Sequence, residues 1–200
     1  VLKDITDNLI NLHTLTNHKF VDYNQGFRIE SESYFDILEL KLLQNKEKCF
    51  LNKDIDKSKL DEYLIYFYEN KNVFDNEKPC LIHNDLWYKN VLVNESGFVW
   101  MIDFEISVFA PKQVELFWIY NHLNSAQNYF DLDPQDYKEL DFLNKFISYL
   151  QINYKELFDY NIIQKNLFNI VKYFSLLTNY DKTWYNYEDV QKFERNMLCL

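Results

Sequence analysis

Two hundred residues, 48% of them hydrophobic, are enough for one large domain with a sizeable core and exclude a disordered chain. Twenty-one Lys and Arg against 31 Asp and Glu leave a formal charge of -10, which argues against a nucleic-acid backbone as partner and leaves a cationic ligand open, though acidity also serves solubility. With 16 Tyr and 17 Phe but only two Gly and three Pro, the composition favours long helices over many tight turns.

In chain order, Leu2, Ile5, Leu9 and Leu12, with Ile10 and Leu15 beside them, predict an amphipathic helix. It starts at Val1 without a cap, as in a chain cut from something longer. A loop containing Gly26 follows. Tyr34 to Leu43 and Leu60 to Tyr68 carry helical apolar faces, the second preceded by Asp56 and Ser58 as caps, so that 1–75 reads as a helical segment. At Pro79 the pattern changes to short apolar runs, Cys80 to Ile82, Val91 to Val93 and Phe98 to Ile102, with the turn signal Asn94-Glu95-Ser96-Gly97 between the last two. From Pro111 helical spacing returns through Val114, Phe117 and Trp118, then Tyr137 to Leu150, then Ile163 to Leu177, with Asp133-Pro134 as a cap and first-turn proline. The expected fold is mainly α with a small β-hairpin, in a single domain of three segments: 1–75, 79–105 with the loop and hairpin, and 111–200 as a helical bundle.

Cys49, Cys80 and Cys199 are odd in number and lack metal-ligand spacing, so they read as reduced, mostly buried thiols. No apolar run reaches the ~18 residues of a membrane span and no signal-peptide layout opens the chain. A cytoplasmic protein without a membrane partner is the expectation.

The residues that carry chemistry are His83, Asp85, Asn90 and Asp103. If the turn is Asn94 to Gly97, Val93 faces Phe98 and Asn90 lies opposite Met101; strand alternation then puts Asp103 on the face of Asn90, roughly 7 Å away. An Asp carboxylate and an Asn carbonyl are hard donors suited to Mg2+, which takes only a couple of protein ligands. A one-residue slip in register would turn them to opposite faces. Asp85, on the loop entering the hairpin, is the candidate base for a substrate hydroxyl, and His83 is placed to support the loop's backbone.

The stretch His83-Asn84-Asp85 through Asn90, followed by Ile102-Asp103-Phe104-Glu105, resembles the H-x-D-x-x-x-x-N and I-D-[FW]-E elements of the aminoglycoside phosphotransferase and choline kinase-like family. The likeness extends weakly to the opening helix ending Leu12-His13 and to Val114-Glu115-Leu116. It implies the C-terminal lobe of a protein kinase-like fold, with Asp85 as catalytic base, Asn90 and Asp103 as magnesium ligands and ATP or GTP as phosphate donor. Glu105 joins as a possible metal or substrate residue. Glu105 in place of the D-F-G glycine and Trp87 in place of a lysine favour a small-molecule kinase, acting on an aminoglycoside, choline or sugar-like hydroxyl, over a protein kinase.

No glycine-rich loop or strand lysine for the nucleotide is visible, so the β-rich N-terminal lobe is expected elsewhere in the full-length protein or on another chain. The alternative is a non-catalytic kinase-like binding module or a partner-dependent half-enzyme. Trp87, Tyr88 and Trp118 suit stacking on a cationic substrate but are better explained by core packing. The acidic cluster Asp131, Asp133, Asp136, Glu139 and Asp141 suits a cationic pocket but is better explained as a solvated helix start. His13, His18 and His122 read as ordinary core or surface histidines.

Overall fold

The computed structural model describes residues 1–24, 27–52, 55–120, 134–158 and 162–179. These form helices and small antiparallel sheets, mostly helix, which places the chain in the α+β class. They gather into two compact units, each discontinuous in sequence: 1–32 with 77–160, and 33–76 with 161–200. No helix among the described residues is long and apolar enough to cross a membrane.

The first unit opens with α1 (Leu2–His13), whose face Ile5, Leu9 and His13 is buried. Where a loop was expected, two strands follow, β1 (Phe20–Asn24) and β2 (Phe27–Ser31), paired antiparallel from Phe20 with Ser31 to Asn24 with Phe27. Phe27-Arg28-Ile29-Glu30 alternates in the two-residue period of a strand, a pattern that the helical reading of 1–75 passed over. Beyond them come β3 (Cys80–Ile82), β4 (Val91–Val93), β5 (Val99–Met101) and β6 (Val108–Ala110). Strands β2, β1, β6 and β3 form one sheet in that order, and β4 and β5 form a separate ribbon. A helix α4 spans 113–120, and α5 (Pro134–Asn153) begins on the proline, whose missing N–H costs nothing in a first turn; its expected cap, Asp133, lies outside the described residues, as do His122, Asp131 and Cys199.

The ribbon β4–β5 corrects the expected register by one residue. Val91 faces Met101, Leu92 faces Trp100 and Val93 faces Val99. The cause is the turn: Asn94 N–H donates to Phe98 O at 3.1 Å and Gly97 N–H to Asn94 O at 2.9 Å, with Gly97 at φ +79°. This is a three-residue loop with a left-handed glycine, in which Asn94 and Phe98 already pair. A side chain at position 97 would meet no neighbour, so glycine is required there for its backbone angle alone. One core joins the unit: Ile5 and Leu9 from α1, Leu86 from the loop after β3, Val99 from β5, Leu116 and Ile119 from α4, and Leu143, Phe146, Ile147 and Leu150 from α5.

The second unit packs α2 (Tyr34–Leu51), α3 (Lys57–Glu69) and α6 (Ile162–Asn179). Asp56 caps α3, its carboxylate accepting from the N–H of Ser58 at 3.0 Å. Phe67 and Phe174 are wholly buried, Phe35 lies 4.6 Å from Phe67 between ring centroids, and Tyr63 meets Tyr173 edge-on. The Cys49 thiol donates to Phe174 O and burial pushes it up to about 12, which leaves it unreactive as a thiol at neutral pH.

Lys172 on α6 is driven down to about 7 by burial from an ordinary value of 10.5. A lysine with a lowered folded-state value takes up a proton on unfolding, so the stability present at high pH is lost as pH falls from about 10.5 to about 7. Lys172→Met is therefore expected to stabilise the protein at pH 7 by about 1–2 kcal/mol. It should also flatten stability against pH across that window, as chemical denaturation at several pH values would reveal.

Candidate functional site

His83 leaves the end of β3 wholly buried, and five bonds tie it and Asn84 to distant chain. The His83 N–H donates to Glu115 Oε2 at 2.6 Å, its Nε2 bonds Ile102 O at 2.7 Å, and its carbonyl accepts from Ser107 Oγ at 3.2 Å. Asn84 Nδ2 donates to Ile106 O at 3.0 Å. Because the partner of Nε2 is a carbonyl, that nitrogen carries the proton and Nδ1 is left without a hydrogen-bond partner. The imidazole ring lies 4.6 Å from Phe104 between centroids. Residues 83–84 and 102–107 are thus stitched together.

Asp85 is half-buried and is followed by Leu86, whose burial in the core is worth about 2 kcal/mol and pins the loop to the helices. A 3-10 turn (Tyr88–Asn90) then closes on itself, Asn90 N–H donating to Trp87 O at 3.0 Å. The buried Asn90 amide reaches back to Asp85, donating from Nδ2 to its carbonyl at 2.8 Å and to its Oδ2 at 3.0 Å. That spends the nitrogen of Asn90 and leaves Oδ1 as the donor atom the amide offers to anything else. Lys89 places its ammonium 4.7 Å from the centre of the Trp87 ring.

The register moves Asn90 opposite Ile102, whose N–H donates to Asn90 O at 3.0 Å. The expected alignment of Asn90 with Met101, and with it the derivation that strand alternation turns Asn90 and Asp103 to one face, is corrected. Asp103 lies beyond the strand, exposed, at φ 65°, so alternation no longer governs its direction. Ile102 links the two instead: its N–H holds Asn90, its carbonyl holds His83, and Asp103 is the next residue. Asn84 also has a left-handed backbone, φ 68°, a conformation that Asn and Asp tolerate best and that clusters where function over-determines the chain. Glu105 is exposed two residues past Asp103.

Among the described residues no group of three or more His, Cys, Asp or Glu is placed to hold a metal ion. A magnesium site needs fewer carboxylates than that, since waters and phosphate oxygens complete its shell. Asn90 Oδ1 and the Asp103 carboxylate are hard oxygens of the chemical kind that Mg2+ takes, and the Asn90 amide is fixed by Asp85.

Sequence reasoning left Glu115 out of the site. It stands in the first turn of α4 with its carboxylate fully buried between apolar neighbours Val114 and Leu116, accepting from His83 N–H and, at 3.4 Å, from Asn84 N–H. The legible signal was a charge at an apolar position, which is rare inside a protein unless it is paired. Of the acidic cluster, Asp141 forms a 2.5 Å ion pair with Lys145.

No protein-family model matches the chain. An uncharacterized protein from Metamycoplasma hominis is 33% identical over 113 residues, covering 52% of this chain. The chain spans only 23% of that relative's length.

Proposed function

We propose that this chain is the catalytic and substrate-binding lobe of a small-molecule kinase of the aminoglycoside phosphotransferase and choline kinase-like kind, acting on a hydroxyl with ATP or GTP as donor. The observation that carries the reading is the Asn90 amide bonded to both the carbonyl and the carboxylate of Asp85, which holds a carboxylate in one orientation at a loop mouth. In this reading Asp85 accepts the proton of the acceptor hydroxyl as its oxygen bonds to the γ-phosphorus and the bond to the β,γ-bridging oxygen breaks. Asn90 and Asp103 would hold Mg2+, which neutralises charge on the phosphates when bound. Glu105 is the further candidate for metal or substrate contact, and His83 keeps the loop in place.

The donor's upper clamp, a lysine and a glycine-rich cover, is proposed to come from an N-terminal lobe in the full-length protein or from another chain. The net charge of -10 suits an acceptor that carries a positive amine, and a cytoplasmic setting supplies the nucleotide. The test is the whole protein with ATP, Mg2+ and a panel of choline, aminoglycosides and amino sugars. ADP release that depends on one acceptor is expected; nucleotide turnover unaffected by every acceptor would count against the reading.

A further inference from the structure

Behind the loop, three buried side chains outside the proposed chemistry stand in series. Tyr154, just past the end of α5, brings its hydroxyl to 2.8 Å from His13 Nδ1. His13, the last residue of α1, turns Nε2 toward Glu115 Oε2 at 3.8 Å, and the two side chains are 3% and 0% exposed. Glu115 Oε2 in turn accepts from the backbone of His83 and Asn84, the two residues before Asp85.

The protons in this series have one favourable arrangement. Burial, with Cys80, Glu156 and Glu115 adding to it, pushes the Tyr154 phenol well above its ordinary value, so it is a hydroxyl at neutral pH. A phenol donating to Nδ1 leaves the imidazole proton on Nε2, facing the carboxylate. The opposite tautomer would set a lone pair against a buried negative charge, where the low local dielectric makes the repulsion costly.

The other ionisable groups around the series do not take over this role. The Cys80 thiol is pushed up to about 12, first by burial and then by Glu115, and donates to Ala110 O. Lys112 lies 5.9 Å from the centre of the Tyr154 ring and pairs with Glu156 at 3.4 Å. Neither His13 Nε2 nor Glu115 Oε1 has a hydrogen-bond partner of its own, and Nε2 stands 3.8 Å from the other carboxylate oxygen, Oε2.

We propose that His13 and Tyr154 are positioning residues, holding the Glu115 carboxylate where it grips the His83 and Asn84 amides and thereby fixing Asp85. The role of the pair in turnover rests on Asp85 being the base; its grip on the loop does not. Tyr154→Phe removes one hydroxyl and little else. In the whole protein, hydrogen exchange at the His83 and Asn84 amides should quicken about fivefold, the worth of one buried hydrogen bond, while β1 and β2 exchange as before. The value of kcat should fall by a similar factor with KM unchanged, and His13→Gln, whose amide can still donate to the carboxylate, should retain more kcat than His13→Ala.

Unchanged exchange at both amides in Tyr154→Phe and His13→Ala would overturn the proposal. So would faster exchange with unchanged kcat in an enzyme that Asp85→Asn disables. Faster exchange in a protein whose turnover ignores Asp85→Asn would support the grip on the loop and remove the assignment of Asp85 instead.

Discussion

Asp85→Asn is expected to lower phosphotransfer by about 10²-fold or more while leaving the fold intact. The substitution keeps the size of the side chain, and its amide oxygen still accepts from Asn90 Nδ2, which lies 3.0 Å from the present carboxylate. What disappears is the capacity to take a proton from the acceptor hydroxyl. The loss should therefore fall on kcat under saturating nucleotide and acceptor, with the thermal midpoint close to that of the parent. Turnover equal to the parent would remove Asp85 from the chemistry.

Asn90→Asp separates two duties of one residue. Aspartate keeps a hard oxygen for Mg2+, and adds charge, so metal affinity should hold or rise. It cannot donate, however, and it sets a second carboxylate against the Asp85 carbonyl and Oδ2 that the amide now binds at 2.8 and 3.0 Å. Two like charges at that distance repel by a few kcal/mol at an effective dielectric near 20, enough to swing Asp85 away. Turnover should drop by about 10²-fold, the usual consequence of misplacing a catalytic group by about 1 Å. Isothermal titration with Mg2+ and nucleotide alongside kcat would distinguish this from simple loss of metal, in which affinity and turnover would fall together.

The hairpin was readable because its signals are local. Val91 to Val93 and Phe98 to Ile102 are β-rich runs around an Asn…Gly turn, and the strands formed as Val91–Val93 and, one residue shorter at each end, Val99–Met101. Its register was not readable, because a turn with Gly97 in the left-handed region and one with four loop residues share the letters Asn-Glu-Ser-Gly and differ by one pairing. Strand β6 is three residues long and gains its structure from neighbours far along the chain, β1 at Val21 and β3 at Cys80 to Ile82. Strands β1 and β2 lack a continuous apolar run, and their signal was the alternation Phe27-Arg28-Ile29-Glu30, too short to stand out beside the helical spacing around it.

The same distinction runs through the candidate site. Asp85 and Asn90 are five residues apart, and their contact follows from one loop. Glu115 reaches His83 across 32 residues, and Tyr154 reaches His13 across 141, contacts that only the packing of α1, α4 and α5 creates. A motif therefore marks the residues that touch each other locally, whereas the groups that hold the motif in place are spelled elsewhere in the chain.

The claim that this chain transfers a phosphoryl group is tested most directly by following the γ-phosphate. With ATP labelled on that group, Mg2+ and the acceptor panel, the whole protein should move label onto one acceptor's hydroxyl in step with ADP formation, and Asp85→Asn should slow both by about 10²-fold. Label that appears only as inorganic phosphate, or transfer that Asp85→Asn leaves at the parent rate, would contradict it.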